Sequence, residues 1–473
     1  MRKKLYIDGQ WKETENYSEL FSPYSNELIG EIPKASVKDV EAAIEAASEA
    51  SEAMESLTAY QRAAILEQLV SLFIEHREEA ARIIALESAK PLKYALGEID
   101  RTIETYKFAA EEAKRLSGEM IPMDAAKGGI NRLAYTLREP LGVVAAITPF
   151  NFPQNLVAHK IGPAIAAGNT VVLKPASQTP LSAFLLAELL DQTDLPKGAF
   201  NLVTGSGRSV GDVLVESEKV KMVTFTGSPA VGKGIRDKAG LKKVALELGS
   251  NAGLIVDEGV DVDLVVEKAI IGAFSNQGQV CISLQRIYIM ESLMEDFLAR
   301  FKAAADKLKI GDPLDSETDL SAMISKQEQE RAVSWVQESV AEGATLIAGG
   351  SVQSDVFQPT ILSNVASNSK VSCQEVFAPV VIVNSIQSVE QGISEINDSS
   401  FGLQAGIFTN DIKTAFNASR KLQVGGVLIN DIPTFRVDQM PYGGVKESGN
   451  GKEGLKYAIE EMTEMKLVIW NQS

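Results

Sequence analysis

The sequence predicts an α/β protein built from two open, largely parallel sheets, and three observations carry that expectation. At 473 residues the chain exceeds what one hydrophobic core ordinarily organises, so more than one domain is expected. Between Leu141 and Leu248 short apolar runs alternate with helical segments, the pattern of parallel strands joined by crossover helices. From Leu254 to Ile429 the alternation resumes, which reads as a second domain of the same class.

Taken in order, Val37–Ala53, Tyr60–Glu87 and Leu96–Leu116 are predicted helices, because Ala, Leu and Ile recur in them at three- and four-residue intervals. The first set of strands is expected at Gly142–Ile147, Thr170–Leu173, Phe200–Val203, Met222–Phe225 and Val244–Leu248. In such a sheet the ligand site lies beyond the strands' carboxyl ends. The second set is expected at Leu254–Val256, Arg286–Met290, Ala344–Ile347, Val380–Val383, Ala405–Phe408 and Gly426–Ile429. Helical patterns at Asp263–Phe274, Leu293–Leu308 and Ile412–Leu422 lie between some of these. The chain closes on an apolar strand, Met465–Trp470, whose edge calls for a pairing partner such as a second subunit.

Composition narrows the function. Forty-six Lys and Arg stand against 63 Asp and Glu, a net charge of −17, which repels nucleic acid and anionic membranes. The longest apolar run, Leu141–Ile147, stops at Thr148-Pro149, far short of a bilayer span. The basic start, Met1 to Leu5, meets Asp8 and Gly9 before any signal-peptide core develops. With two cysteines, Cys281 and Cys373, and two distant histidines, His76 and His159, neither a disulfide framework nor a zinc site is expected. A cytoplasmic, metal-free enzyme of small molecules fits best.

Four segments can carry chemistry. Cys281 lies in Gly278-Gln279-Val280-Cys281-Ile282, where a glycine-containing loop can present a thiol to substrate. The same residues suit a packed thiol, the commoner fate of a free cysteine. Glu247 ends the apolar run Val244–Leu246; desolvation at a strand end would raise its pKa and make it a usable base, while a solvated charge fits equally well. In Pro149-Phe150-Asn151-Phe152-Pro153 two prolines stiffen a turn that could fix the Asn151 amide as a donor, or Asn151 is a turn residue bonded to its own backbone. Phe225-Thr226-Gly227-Ser228 leads through Val231 to Gly232. This strand–turn–helix lets amides approach a diphosphate, although it lacks the Gly-x-Gly-x-x-Gly spacing and could be an ordinary turn.

Together with Leu173-Lys174-Pro175, Leu246-Glu247-Leu248-Gly249, Glu375-Val376-Phe377-Ala378-Pro379 and Pro441-Tyr442-Gly443-Gly444, these segments resemble, in order and spacing, the aldehyde dehydrogenase superfamily. The resemblance spans nearly the whole chain. It implies a Rossmann-type cofactor domain (residues 1–121 and 141–248), a catalytic domain (249–440), and a β oligomerisation arm with the C-terminal segment (122–140 and 441–473). The arm would extend a partner's sheet, making a homodimer or a homotetramer.

The resemblance further implies that Cys281 is the nucleophile and Glu247 the base that activates water. Asn151 and the Cys281 amide would form the oxyanion hole, with Lys160 near the base. NAD or NADP would be held by Ile147, Thr148, Pro149, Phe150, Lys174, Ala176, Ser177 and Gly207. Phe225, Thr226, Gly227, Ser228, Val231, Leu248, Glu375 and Phe377 would complete that site. Glu247 favours hydrolysis over transfer to coenzyme A, since acylating relatives typically lack it; a cofactor-free thiol esterase would leave Lys174 and Glu375 unexplained.

Several positions depart from the family. Ser177 stands where NAD-preferring members usually carry Glu, so the like-charge barrier to a 2′-phosphate is absent and NADP is tolerated or preferred. Gly249-Ser250 and Gly253-Leu254 replace the usual Gly-Gly and Pro-Asn beside Glu247. Arg436 lies where the family lines its substrate entrance and could bind an anionic tail, or form a surface or inter-subunit salt bridge. Cys373 reads as a packed thiol. The C-terminal half looks most similar to lactaldehyde and glycolaldehyde dehydrogenases, which implies a small hydroxy- or anion-bearing aldehyde; succinate-semialdehyde or glyceraldehyde-3-phosphate-type substrates are the alternatives.

Overall fold

The computed structural model describes residues 2–472. Its first seven-stranded sheet runs Lys243–Glu247, Val220–Thr226, Val143–Ile147, Thr170–Lys174, Phe200–Leu202, Leu5–Ile7, Gln10–Lys12. The first five strands are parallel and the last two antiparallel. Val143–Ile147 and Thr170–Lys174 are buried along their whole length, as the near-continuous apolar sequence of a sheet covered on both faces requires. The second seven-stranded sheet runs Thr345–Ala348, Thr360–Ser363, Val380–Ile386, Arg286–Met290, Gly253–Val256, Gln404–Phe408, Gly426–Ile429. Only its first pairing is antiparallel.

The expected helices form with shifted ends. Tyr60–Glu87 is not one helix but two, Ala59–Glu75 and Arg77–Ser88, because His76 takes φ −95°, ψ 17° between them. Their starts follow local chemistry. Ser36 with Asp39 and Thr58 with Gln61 each form a reciprocal capping box, satisfying amides that a helix leaves unpaired. Leu92–Ala113 begins four residues before Leu96, directly after Pro91. The strand Thr360–Ser363 and the hairpin of Tyr17–Phe21 with Leu28–Pro33 add to the elements the sequence indicated.

A third, smaller sheet joins Arg132–Pro140 to Thr463–Asn471 over nine pairs, with Met120–Ile121 on the far side. The C-terminal strand is therefore paired on one edge within its own chain and forms the outer strand of that sheet. Met465, Leu467, Ile469 and Trp470 are exposed on it. The segment after Met440 does not lead straight to this arm. Val445–Lys446 pairs with Phe401–Gly402 of the second half, Gly449 bridges to Glu247 of the first sheet, and helix Leu455–Glu461 packs against Asn155–Ala167. This crossing segment seals the back of the site.

Candidate active site

A cleft of about 720 Å³ opens at the carboxyl ends of the first sheet, where the two halves face each other. Ile147, Thr148, Pro149, Phe150, Lys174, Ala176, Gly207, Phe225, Thr226, Gly227, Ser228, Val231, Leu248, Glu375 and Phe377 line it, together with Asn151 and Cys281. Ser177 is the one expected cofactor contact outside that lining. It is exposed and donates to the Gly205 carbonyl at 3.3 Å. Glu247, Lys160 and Arg436 do not line the cleft either; they lie behind its wall.

Asn151 is held from both sides. Its side-chain amide donates to the Gln279 carbonyl at 3.0 Å, and its own carbonyl accepts from Lys90 Nζ at 2.7 Å. Lys90 is ion-paired with Glu98, both side chains fully enclosed, and its ammonium sits 3.8 Å over the Phe152 ring. The other Glu98 oxygen accepts from the amides of Gln154 and Asn155 at 2.9 and 3.2 Å, capping the helix that carries Lys160. One buried ion pair thus anchors the whole Pro149–Pro153 turn.

The Cys281 loop has an unusual backbone. After helix Val262–Phe274, Asn276, Gln277 and Gly278 take φ of 50°, 56° and 67°. At Gly278 a Cβ would stand 2.1 Å from the Ala378 carbonyl oxygen, so only glycine fits. Gln277 donates to the carbonyls of Ala89 and Ala322, each at 2.8 Å, tying this loop to the residue beside Lys90. Cys281 itself is half-buried, its Sγ 2.8 Å from the Tyr442 hydroxyl. Burial pushes the thiol up to about 11, opposed by the Tyr442 hydrogen bond and the Arg436 charge.

Behind that wall lies a buried charge cluster. Glu247 ends its strand with both carboxyl oxygens unpartnered among the described residues. Burial first, then the nearby Glu453 charge, raises its pKa well above the carboxylate range against the pull of Lys160 and Arg436. Burial alone would also raise Glu453, but Arg436 and Lys160 hold it at about 2. Arg436 Nη1 is 2.9 Å from Glu453 and Lys160 Nζ is 3.7 Å from it, while Lys160 also donates to Thr224 at 3.2 Å. The environment therefore pushes two neighbouring carboxyls in opposite directions, Glu247 up and Glu453 down, the arrangement from which acid–base pairs are built. His159 steadies the cluster through Glu453 O at 2.8 Å and Asp438 at 2.9 Å.

The cleft's polar groups are equally under-partnered. Burial raises the Glu375 carboxyl to about 7, with the Ser250 amide donating to it at 2.9 Å. Burial lowers Lys174 to about 8, and its ammonium donates to the Pro175 carbonyl at 3.0 Å. Ser228 precedes helix Pro229–Lys238 without bonding its amides, so that terminus stays open to anionic oxygens. Phe377, at φ 52°, meets Phe150 edge-on with ring centres 5.8 Å apart.

Arg208 and Arg331 also line the cleft, and neither was singled out in the sequence. Glu453 was passed over too, although a carboxylate inside Gly449-Asn450-Gly451-Lys452-Glu453-Gly454 sits where closely approaching backbone is signalled. Arg436 is buried within this chain rather than exposed at its surface. It forms a buried pair with Glu453, with its guanidinium 3.9 Å over the Tyr442 ring and Nε and Nη2 unpartnered among the described residues.

Comparison with known proteins places this geometry. A 3-sulfolactaldehyde dehydrogenase of Priestia aryabhattai is 46% identical over 467 residues, covering 99% of this chain and 98% of the relative. Aldehyde dehydrogenase 21 of Physcomitrella patens, solved with the reaction product succinate, superposes with a TM-score of 0.97 at 40% identity, covering 100% of this chain and 98% of that one. Glyceraldehyde-3-phosphate dehydrogenase GapN of Methanocaldococcus jannaschii, solved with NADP, gives 0.93 at 41% identity, covering 97% of this chain and 100% of that one. The aldehyde dehydrogenase family profile itself matches residues 11–468. With the match running through both sheets and the terminal strand, the chain belongs to the aldehyde dehydrogenase family.

Proposed function

We propose that this chain oxidises a short polar aldehyde, bearing a hydroxyl or an anionic group, to its carboxylic acid with NAD or NADP, through a thioester on Cys281. The observation that carries the reading is that Cys281 and Asn151 share one cleft with Glu375 and Phe377, in front of a buried pair of carboxyls. The residues fit a dinucleotide. Lys174 and Glu375 offer desolvated groups to ribose hydroxyls, and the open helix terminus at Ser228 suits a diphosphate. A nicotinamide held by these residues would supply the acceptor for the hydride lost from the substrate carbon.

The chain's own residues do the rest. The Cys281 sulfur adds to the carbonyl carbon, and the Asn151 amide with the Cys281 N–H stabilises the oxyanion, a donor of this kind contributing roughly 3–4 kcal/mol. Lys90 and Glu98 hold Asn151 in place. After the thioester forms, Glu247 takes a proton from water and the acid is released. Its position behind the wall means that the carboxylate turns toward Cys281 for this step, while Lys160, Arg436 and ionised Glu453 govern its protonation.

Arg436 supports an anionic or strongly polar substrate, since two of its donors lack partners among the described residues and its charge is felt at Cys281 from behind the cleft wall. The sulfonated aldehyde named for one relative and the succinate bound to another share that character. A succinate-semialdehyde or glyceraldehyde-3-phosphate-type substrate is the second reading. Neutral Ser177, Arg208 in the cleft lining and the NADP bound to the GapN structure favour tolerance of the 2′-phosphate. A homodimer or homotetramer formed through the apolar C-terminal strand, in the cytoplasm, completes the proposal.

An aldehyde panel assayed with both nicotinamides, with and without coenzyme A, tests it. Cys281→Ser should abolish cofactor reduction, coenzyme A should not accelerate it, and Arg436→Ala should depress kcat/KM for anionic aldehydes more than for neutral ones. Undiminished turnover by Cys281→Ser would overturn the nucleophile. Equal losses on both aldehyde classes would remove the role given to Arg436.

A further inference from the structure

We propose that the Tyr442 hydroxyl is a catalytic hydrogen-bond donor that stabilises the Cys281 thiolate, polarised for that task by the Arg436 guanidinium on its ring. The inference rests on Cys281 being the nucleophile and adds a residue that touches the reacting atom. Three observations carry it. Tyr442 Oη lies 2.8 Å from Cys281 Sγ. The phenol is only 3% exposed, inside a small apolar cluster with Val280, Ile282 and Leu403, so the side of Sγ it covers faces apolar groups, which solvate a thiolate poorly. Arg436 stands 3.9 Å from the ring centre, where a cation draws on the π face and makes the O–H a better donor.

In low-dielectric surroundings one donor matters more than it would in water, and a hydrogen bond to the charged form favours that form. The other charges acting on the sulfur oppose one another. Arg436 favours the thiolate; Glu453 and Glu375 disfavour it, and Glu247 acts on the phenol from the far side. Tyr442 is thus the direct donor among them. In the step itself the thiol proton passes to water in the cleft, and Tyr442 keeps its own proton while donating to a sulfur lone pair. As the C–S bond forms, the sulfur charge moves to the carbonyl oxygen and the Tyr442 bond loosens, so the interaction holds sulfur ready without following it into the adduct.

The test is alkylation by iodoacetamide of the protein free of nicotinamide, across neutral and alkaline pH. Peptide mass mapping would separate Cys281 from Cys373, with residual dehydrogenase activity read in parallel. Tyr442→Phe, which removes a single oxygen, should move the half-point for Cys281 up by about one pH unit, a roughly tenfold slower alkylation below that point, and leave Cys373 unchanged. kcat should fall with little change in the KM for NAD(P). A Cys281 profile that coincides with the wild type, or shifts down, overturns the role given to Tyr442. Activity that survives complete alkylation of Cys281 overturns the nucleophile instead, so the two failures are told apart.

Discussion

Lys90→Met would remove the cation from an ion pair whose side chains are both 0% exposed. Glu98 would keep the two amide donors of Gln154 and Asn155, yet its charge would have no counter-ion. Stranding a buried charge in this way costs about 3–5 kcal/mol. Glu98→Gln alone strands the ammonium instead, while the double variant removes both charges and leaves an amide oxygen able to accept from the same two amides. The double variant should therefore recover at least about 2 kcal/mol relative to the sum of the singles, read as a cycle of urea unfolding midpoints. The catalytic effect follows from the 2.7 Å bond to the Asn151 carbonyl. With that bond gone the Asn151 amide loses its fixed aim, and kcat should fall by about ten- to a hundredfold, within the loss expected when an oxyanion donor is removed outright. The KM for NAD(P) should hardly move. Single variants that lose less than about 1 kcal/mol, or that add without coupling, would refute the anchoring role; a stability loss with kcat intact would refute its link to Asn151.

Two further outcomes follow. Glu247→Gln should preserve a first burst of reduced cofactor but slow steady turnover by about 10²–10⁴-fold. Because its pKa is raised, the basic form accumulates only above the ordinary carboxylate range; thioester hydrolysis in the wild type should climb as pH rises into the neutral range, and a hydrolytic rate already flat from mildly acidic pH would contradict that base. Ser177→Glu should shift the ratio of kcat/KM toward NAD by at least about tenfold, since a carboxylate beside a 2′-phosphate repels it; an unchanged ratio would place the phosphate elsewhere in the cleft.

What the sequence could disclose follows from the range over which each interaction acts. Arg286–Met290 and Gly426–Ile429 occur with the very bounds expected, because a compact apolar run between turn residues is a local signal. Thr360–Ser363 holds only Ile361 and Leu362 between two hydroxyl side chains and offers no such run to read. Tyr60–Glu87 kept its helical period through His76, where a turn in φ and ψ splits the helix without any Gly or Pro to announce it. Most of the cleft residues, Arg208 and Arg331 excepted, were legible through short motifs, each of which carries its own backbone geometry, as Gly278 does. Glu453, Tyr442 and Lys90 were not, because their roles exist only once distant segments meet: Lys90 and Asn151 are 61 positions apart, and Cys281 and Tyr442 are 161. A lysine before a proline or a tyrosine before two glycines carries no mark of what it will face. The same reasoning applies to Arg436, whose pairing with Glu453 no local motif announces. Its residue type disclosed a need for an anion, and the crossing segment supplied one in Glu453 from within the chain. On the proposed reading a substrate anion would draw on the two donors that Glu453 leaves free, so that loss of Arg436 would tell on anionic aldehydes before neutral ones.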